Sequence, residues 1–132
     1  MKKFYYLLIA MLMALATVGL TACGDDEPYG YDLVGTWQMV YDSGETLIQF
    51  TENGAFHEVG ITTINGKTEI YVDHGFYRVS GNQLTIVYDD DNDGSDTIEC
   101  TYSIRGNEIT FSSPGYSETY VHVSDSAIER YL

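Results

Sequence analysis

Few residue types in this chain stand where they could do chemistry. Asp89, Asp91 and Asp93, with Gly94 behind them, set carboxylates at alternate positions of one loop. Calcium takes roughly six to eight hard oxygen ligands, and D-x-D-x-D-G is how many calcium loops open. The Glu that should close such a loop is out of place, because Cys100 holds the twelfth position and Glu99 stands one place short. The other reading of Asp89 to Asp96 is an acidic hairpin loop whose repulsion discourages edge pairing. His57, His74 and His122 offer nitrogen ligands for a metal. No two are at ligand spacing and each falls on a strand of a different hairpin, so surface or rim positions are expected. No nucleophile elbow, phosphate loop or spaced pair of catalytic carboxylates is found. The chain is therefore read as a non-enzyme with no cofactor beyond a weak calcium ion at Asp89, Asp91 and Asp93.

The two cysteines have different settings. Lys2 and Lys3 precede an uncharged apolar run, Phe4 to Leu20, and Leu20-Thr21-Ala22-Cys23 follows. A basic start, an apolar middle and small residues before a cleavage point describe a secretory leader. Leu-Thr-Ala-Cys resembles the bacterial lipobox, in which the thiol takes a lipid and the chain is cut before the cysteine. The run is nearly long enough to span a bilayer, so a retained helix is the other reading. The expectation is a leader over residues 1–22, lipidation at Cys23 and an acidic tether over 23–32. Two or three acyl chains on Cys23 would hold stably where one is marginal. Acids straight after such a cysteine resemble the export signal of some outer-membrane lipoproteins, and they also serve as a plain hydrophilic spacer. Cys100 lies in "TIECTYSI", on one face with Ile98, Tyr102 and Ile104, and is expected as a small buried hydrophobe.

Charge narrows the partners. The net charge is −14, and loss of Lys2 and Lys3 with an acid-free leader makes it −16 on the remaining 110 residues. Such a surface repels phosphate backbones, so nucleic acid is not an expected partner. It gives no hold on anionic lipid either, which leaves anchoring to the acyl chains. One domain is expected, and a monomer.

Beyond residue 33, short alternating runs are separated by Gly, Asn and Asp, and none has a helical period. That pattern predicts an all-β fold of eight strands. They run about Thr36–Tyr41, Thr46–Thr51, Ala55–Ile64, Lys67–Val79 with a bend at Gly75, Gln83–Tyr88, Thr97–Ile104, Glu108–Ser112 and Tyr116–Val123. Asn53-Gly54 and Asn65-Gly66 read as hairpin turns, since both residues tolerate positive φ. Short connections predict consecutive antiparallel pairing. Closing that meander removes its open edges and gives an eight-stranded up-and-down barrel over 33–124, with a polar tail at 125–132 in which a short last helical turn is expected. A membrane-spanning barrel is excluded by short strands and polar outward positions such as Glu99, Thr101, Ser103 and Arg105.

Gly35-x-Trp37 opens the first strand in "VGTWQMV". With "IQFTENGAF", "GFYRVSGNQLTIVY" and "YSIRGNEITFSS" it resembles the small lipocalin-like domains of bacterial outer-membrane lipoproteins, over Leu33 to about Val123. The resemblance implies the barrel and an envelope location, but no particular ligand. The chain is shorter than the larger lipocalins and has tight hairpins in place of their gating loops, which argues against a deep cavity.

The expected function is a lipid-anchored outer-membrane module holding a small apolar or amphipathic ligand. The expected contacts are Trp37, Met39, Phe50, Phe56, Tyr71, Tyr77, Tyr88 and Tyr102. The alternative is a filled barrel that docks another envelope protein. Roughly ten large apolar side chains fill an eight-stranded interior, and more than that point inward here, which favours the filled barrel.

Overall fold

A computed structural model describes residues 32–89 and 96–132. The leader, Cys23, the tether up to residue 31, and Asp91 and Asp93 of the acidic loop lie outside the described residues. The strands are β1 (Gly35–Tyr41), β2 (Gly44–Phe50), β3 (Ala55–Ile64), β4 (Lys67–Ser80), β5 (Gln83–Tyr88), β6 (Asp96–Arg105), β7 (Glu108–Ser113) and β8 (Tyr116–Val123). Each pairs antiparallel with the next, and β8 returns to β1 to close the barrel. The eight-stranded meander expected from the sequence is the fold.

Turn chemistry sets the register. Asn65 (φ 55°) and Gly66 (φ 76°) both adopt the left-handed backbone, so β3 and β4 pair without slip from Ile64↔Lys67 down to Ala55↔Phe76. The Asn53-Gly54 turn differs from expectation, since only Gly54 has positive φ there. The connection is longer, and Thr51 organises it: its hydroxyl accepts from the Ala55 amide at 2.9 Å and donates to the Asn53 side chain. β4 is the longest strand, but its ladder with β5 covers only Gly75–Ser80, so the β3–β4 arm rises beyond the end of β5. At Gly75, where β4 begins to pair with β5, a Cβ would lie 2.2 Å from the Val87 carbonyl, so only glycine fits there.

Strand alternation creates two cores. Inward residues, led by Trp37, Ile48, Phe50, Phe56, Leu84, Ile86, Ile109, Phe111 and Tyr120, fill the barrel. Outward Leu47 and Val59 are also buried, under Ile128 of a short helix, α1 (Ser126–Glu129). The tail read as polar is thus a strap on the outside of the barrel. Its entry is tied down where the Thr36 hydroxyl donates to Asp125 at 2.7 Å and the Gln49 amide donates to Thr36 at 3.1 Å. Among the described residues no helix is long and apolar enough to cross a membrane.

Ile128 is fully buried. Ile128→Ala is expected to lower the unfolding free energy by about 2–5 kcal/mol, read by urea denaturation. A loss under about 0.5 kcal/mol would place the strap outside the cooperative unit.

Candidate functional site

The polar centre of the molecule lies inside the barrel. On β3, alternation turns Phe56, Glu58 and Gly60 inward; on β8 it turns Tyr116, Glu118 and Tyr120 inward. Glu58 is completely buried and Glu118 is 7% exposed. Tyr88 of β5 donates to Glu58 Oε1 at 2.8 Å, and Tyr71 of β4 reaches Glu58 Oε2 at 3.4 Å. Tyr120 donates to Glu118 Oε1 at 3.1 Å. The second oxygen of Glu118 and the Tyr116 hydroxyl are buried and find no hydrogen-bond partner among the described residues. Half-buried Asp73 of β4 adds a third carboxylate close enough to raise the Glu58 carboxyl.

Every Lys and Arg among the described residues is exposed. Burial in a low dielectric disfavours a carboxylate more than phenol hydrogen bonds favour it. Burial pushes Glu58 from 4.5 up to about 8, with the Asp73 charge adding to the rise and the Tyr88 and Tyr71 hydroxyls opposing it. Glu118 rises to about 8 by burial, with Glu58 adding and Tyr120 opposing. The Tyr88 and Tyr120 phenols are driven far up by burial and by the neighbouring carboxyls. Cys100, buried on β6, is pushed up to about 12 by burial and then by Glu118. Its thiol is therefore protonated and inert at neutral pH.

Tyr71 is the boundary between this centre and the outside. Its ring packs against Gly60, where a Cβ would come within 2.2 Å of it. On its outer side a cleft of about 370 Å³ opens along the β3–β4 arm, lined by Thr62, Ile64, Glu69, Ile70 and Tyr71.

The residues expected to contact a ligand divide between the ends of the barrel. Tyr71 and Tyr88 join the acidic centre. Trp37, Phe50 and Phe56 have no exposed surface. Trp37 donates to the Leu33 carbonyl at 3.2 Å and stands edge-on to His122, with centroids 5.1 Å apart. Phe50 packs on Phe56 and on Tyr77, whose hydroxyl donates to the Thr51 carbonyl at 2.5 Å. Met39 and Tyr102 are half-buried against the same core. Asp89 is exposed at the end of β5, while Asp91 and Asp93 are not described.

The histidines correct one expectation. His57 and His74 do not belong to different hairpins. They face each other across β3 and β4, Nδ1 to Nδ1 at 2.8 Å, because each stands eight residues from its side of the Asn65-Gly66 turn. Burial, and then His74, lower the His57 pKa. His122 belongs to the Trp37 packing instead. Among the described residues no three His, Cys, Asp or Glu are grouped to hold a metal ion.

Glu58 and Glu118 were missed in the sequence, although a signal was there. "YSETY" sets a Glu between two tyrosines on one strand face, and "AFHEVG" puts Glu58 two residues from Phe56.

Comparison with known proteins gives the same architecture. Residues 33–103 match the model of the lipocalin-like domain. A lipocalin-like protein of Bacteroides uniformis superposes with a TM-score of 0.54 at 15% identity, covering 70% of this chain and all of the other. A protein of Bacteroides eggerthii described as uncharacterized gives 0.51 at 12% identity, with the same coverage. Nothing among curated proteins matches.

The raised carboxyls have a consequence for stability. Folded Glu58 and Glu118 hold their protons to higher pH than they do unfolded. Their contribution is complete below about 4.5 and is lost as pH rises through about 8. Each group can add a slope of about 1.4 kcal/mol per pH unit across that window. The melting temperature is expected to fall from about pH 5 to about pH 8, and Glu58→Gln and Glu118→Gln each to flatten the decline. Parallel curves for wild type and both variants would contradict it.

Proposed function

The chain belongs to the lipocalin-like domain family, and we propose that within it this protein is a lipid-anchored binding module for a small amphipathic molecule. The observation that carries this role is the mouth cleft. The apolar Ile64 stands there beside polar Thr62, Glu69 and Tyr71, and the buried Glu58 carboxyl accepts from the Tyr71 hydroxyl behind them. A site with an apolar wall and a few convergent polar groups is what small-molecule recognition uses. The opposite end is plugged by Trp37, Phe50 and Phe56, so access through the β3–β4 arm is the favoured route. Anchoring is proposed through acyl chains on Cys23, on the strength of the leader and the Leu-Thr-Ala-Cys run. The outer membrane is the proposed site, with the acidic tether carrying the barrel clear of the surface.

One observation favours a second role. The interior is filled to the level of Tyr88 and Tyr120, which suits a barrel that docks an envelope protein through its outer surface.

Native mass spectrometry of the full chain, released gently from envelope extracts into detergent, separates the two. Binding predicts a discrete extra mass under about 1 kDa that is lost on denaturation and refolding, and that Gly60→Val removes by displacing Tyr71. A bare mass throughout would sink the small-ligand role. The same spectra are expected to carry acyl mass on Cys23, and Cys23→Ser to move the protein from membrane to soluble fractions. Retention of that variant in membranes with its leader intact would show a helical anchor instead.

A further inference from the structure

We propose that the facing imidazoles of His57 and His74 form a site on the outer wall of the barrel for one divalent transition-metal ion of the zinc or copper kind. The site is separate from the mouth cleft and goes beyond the binding role above. Both histidines leave the sheet on its outer face, whereas Tyr71, which bounds the cleft, leaves it on the inner one. His74 gives its carbonyl to the Asp89 amide on the β5 side at 2.8 Å, so toward β3 it forms a non-hydrogen-bonded pair with His57. In such a pair the opposite side chains come closest. The two Nδ1 atoms accordingly lie 2.8 Å apart, with the ring planes at 84°. The pair is open to solvent, since His74 is exposed and His57 half-buried.

Two ring nitrogens aimed at one point suit a metal. Imidazole is a ligand that zinc and copper favour, whereas calcium and magnesium prefer oxygen. Nitrogens bound to a tetrahedral zinc ion at about 2.0–2.1 Å lie roughly 3.3 Å from each other. The rings therefore need to part by only about half an ångström. The unbroken β3–β4 ladder already fixes both backbones, so little freedom is lost when the ion binds. Two protein ligands leave the other positions of the ion to water. Gln49 of β2 lies across from His57, and Asp89 continues the row past His74. Neither is a cation that would repel the ion, and Asp89 adds negative charge to the row. The net charge of −14 also draws cations toward the surface from solution.

The protons balance. In the free pair one Nδ1 carries a hydrogen and the other accepts it. Both must be bare to hold the ion, so the donor ring changes tautomer: its Nδ1 proton leaves to water, and its Nε2 takes one from water. No net proton is released while both rings are neutral. Burial, and then His74, lower the His57 pKa, which keeps that ring in the neutral form that a metal ligand needs.

Isothermal titration calorimetry with zinc chloride tests this on the full chain in detergent, with excess calcium chloride present to occupy surface carboxylates. One zinc ion per chain is expected to bind, and copper(II) chloride to bind more tightly than zinc. His57→Gln and His74→Gln are each expected to weaken zinc at least about tenfold. Exposed Glu108→Gln is expected to leave it unchanged. Nitrogen-15 NMR of the wild type tests the same site without a substitution. Zinc is expected to shift the Nδ1 signals of His57 and His74 together and to leave those of His122 in place. Zinc that binds the double variant as tightly as wild type, or that moves neither ring, would overturn the site. So would a wild-type chain that binds no zinc under these conditions. The ligand of the mouth cleft is read separately by native mass spectrometry, so either assignment can fail while the other stands.

Discussion

Thr36, Trp37 and Gln38 pair with Val123, His122 and Val121, and these three residue pairs close the sheet. Much else depends on that seam. Closure removes the two free edges that a meander would otherwise expose. It also fixes the interior width at that of eight strands, which inward side chains fill. The neighbouring contacts protect this shortest of the ladders. Trp37 stands edge-on to His122 across it on the inside, and the Asp125–Thr36–Gln49 hydrogen bonds bind the helical strap over it on the outside. Eight strands confine every inward group to one small volume, and so Glu58 of β3 and Glu118 of β8 feel each other although they lie far apart in the chain.

The same closure divides the interior by chemistry. Around Trp37, Phe50 and Phe56 the filling is apolar and aromatic, with rings 5–6 Å apart in edge-on or tilted contacts that favour their quadrupoles. Around Glu58 and Glu118 it is phenol and carboxyl. An apolar plug lowers the dielectric for the acids above it, which keeps them protonated in the empty barrel. A phenol cage prevents outright loss of their hydrogen bonds. The result is a stable fold with two protonated carboxyls at its centre.

Much of the fold was legible in the sequence because the decisive signals are local. Asn65-Gly66 fixes the register of β3 on β4 by its own backbone preference, and alternation in "QLTIVY" states which side faces in. The site was less legible for the opposite reason. Glu58 and Glu118 are two of twenty acids, and only the neighbours supplied by β4, β5 and β8 turn them from surface charges into buried acids. The expected ligand contacts rest on large apolar or aromatic type, which marks core plugs such as Trp37 as readily as Tyr71. The facing histidines were within reach of simple counting from the Asn65-Gly66 turn. Ile128 was hidden because a four-residue helix has no period to read, and its burial depends on Leu47 and Val59 from distant strands.

Burial keeps Glu58 and Glu118 protonated inside the barrel, and their side-chain carbons report this directly. Carbon-13 NMR of the Glu58 and Glu118 δ-carbons, followed over pH, is the most direct measurement. Midpoints near 8 are predicted. Titration of both carbons near 4.5 would contradict it.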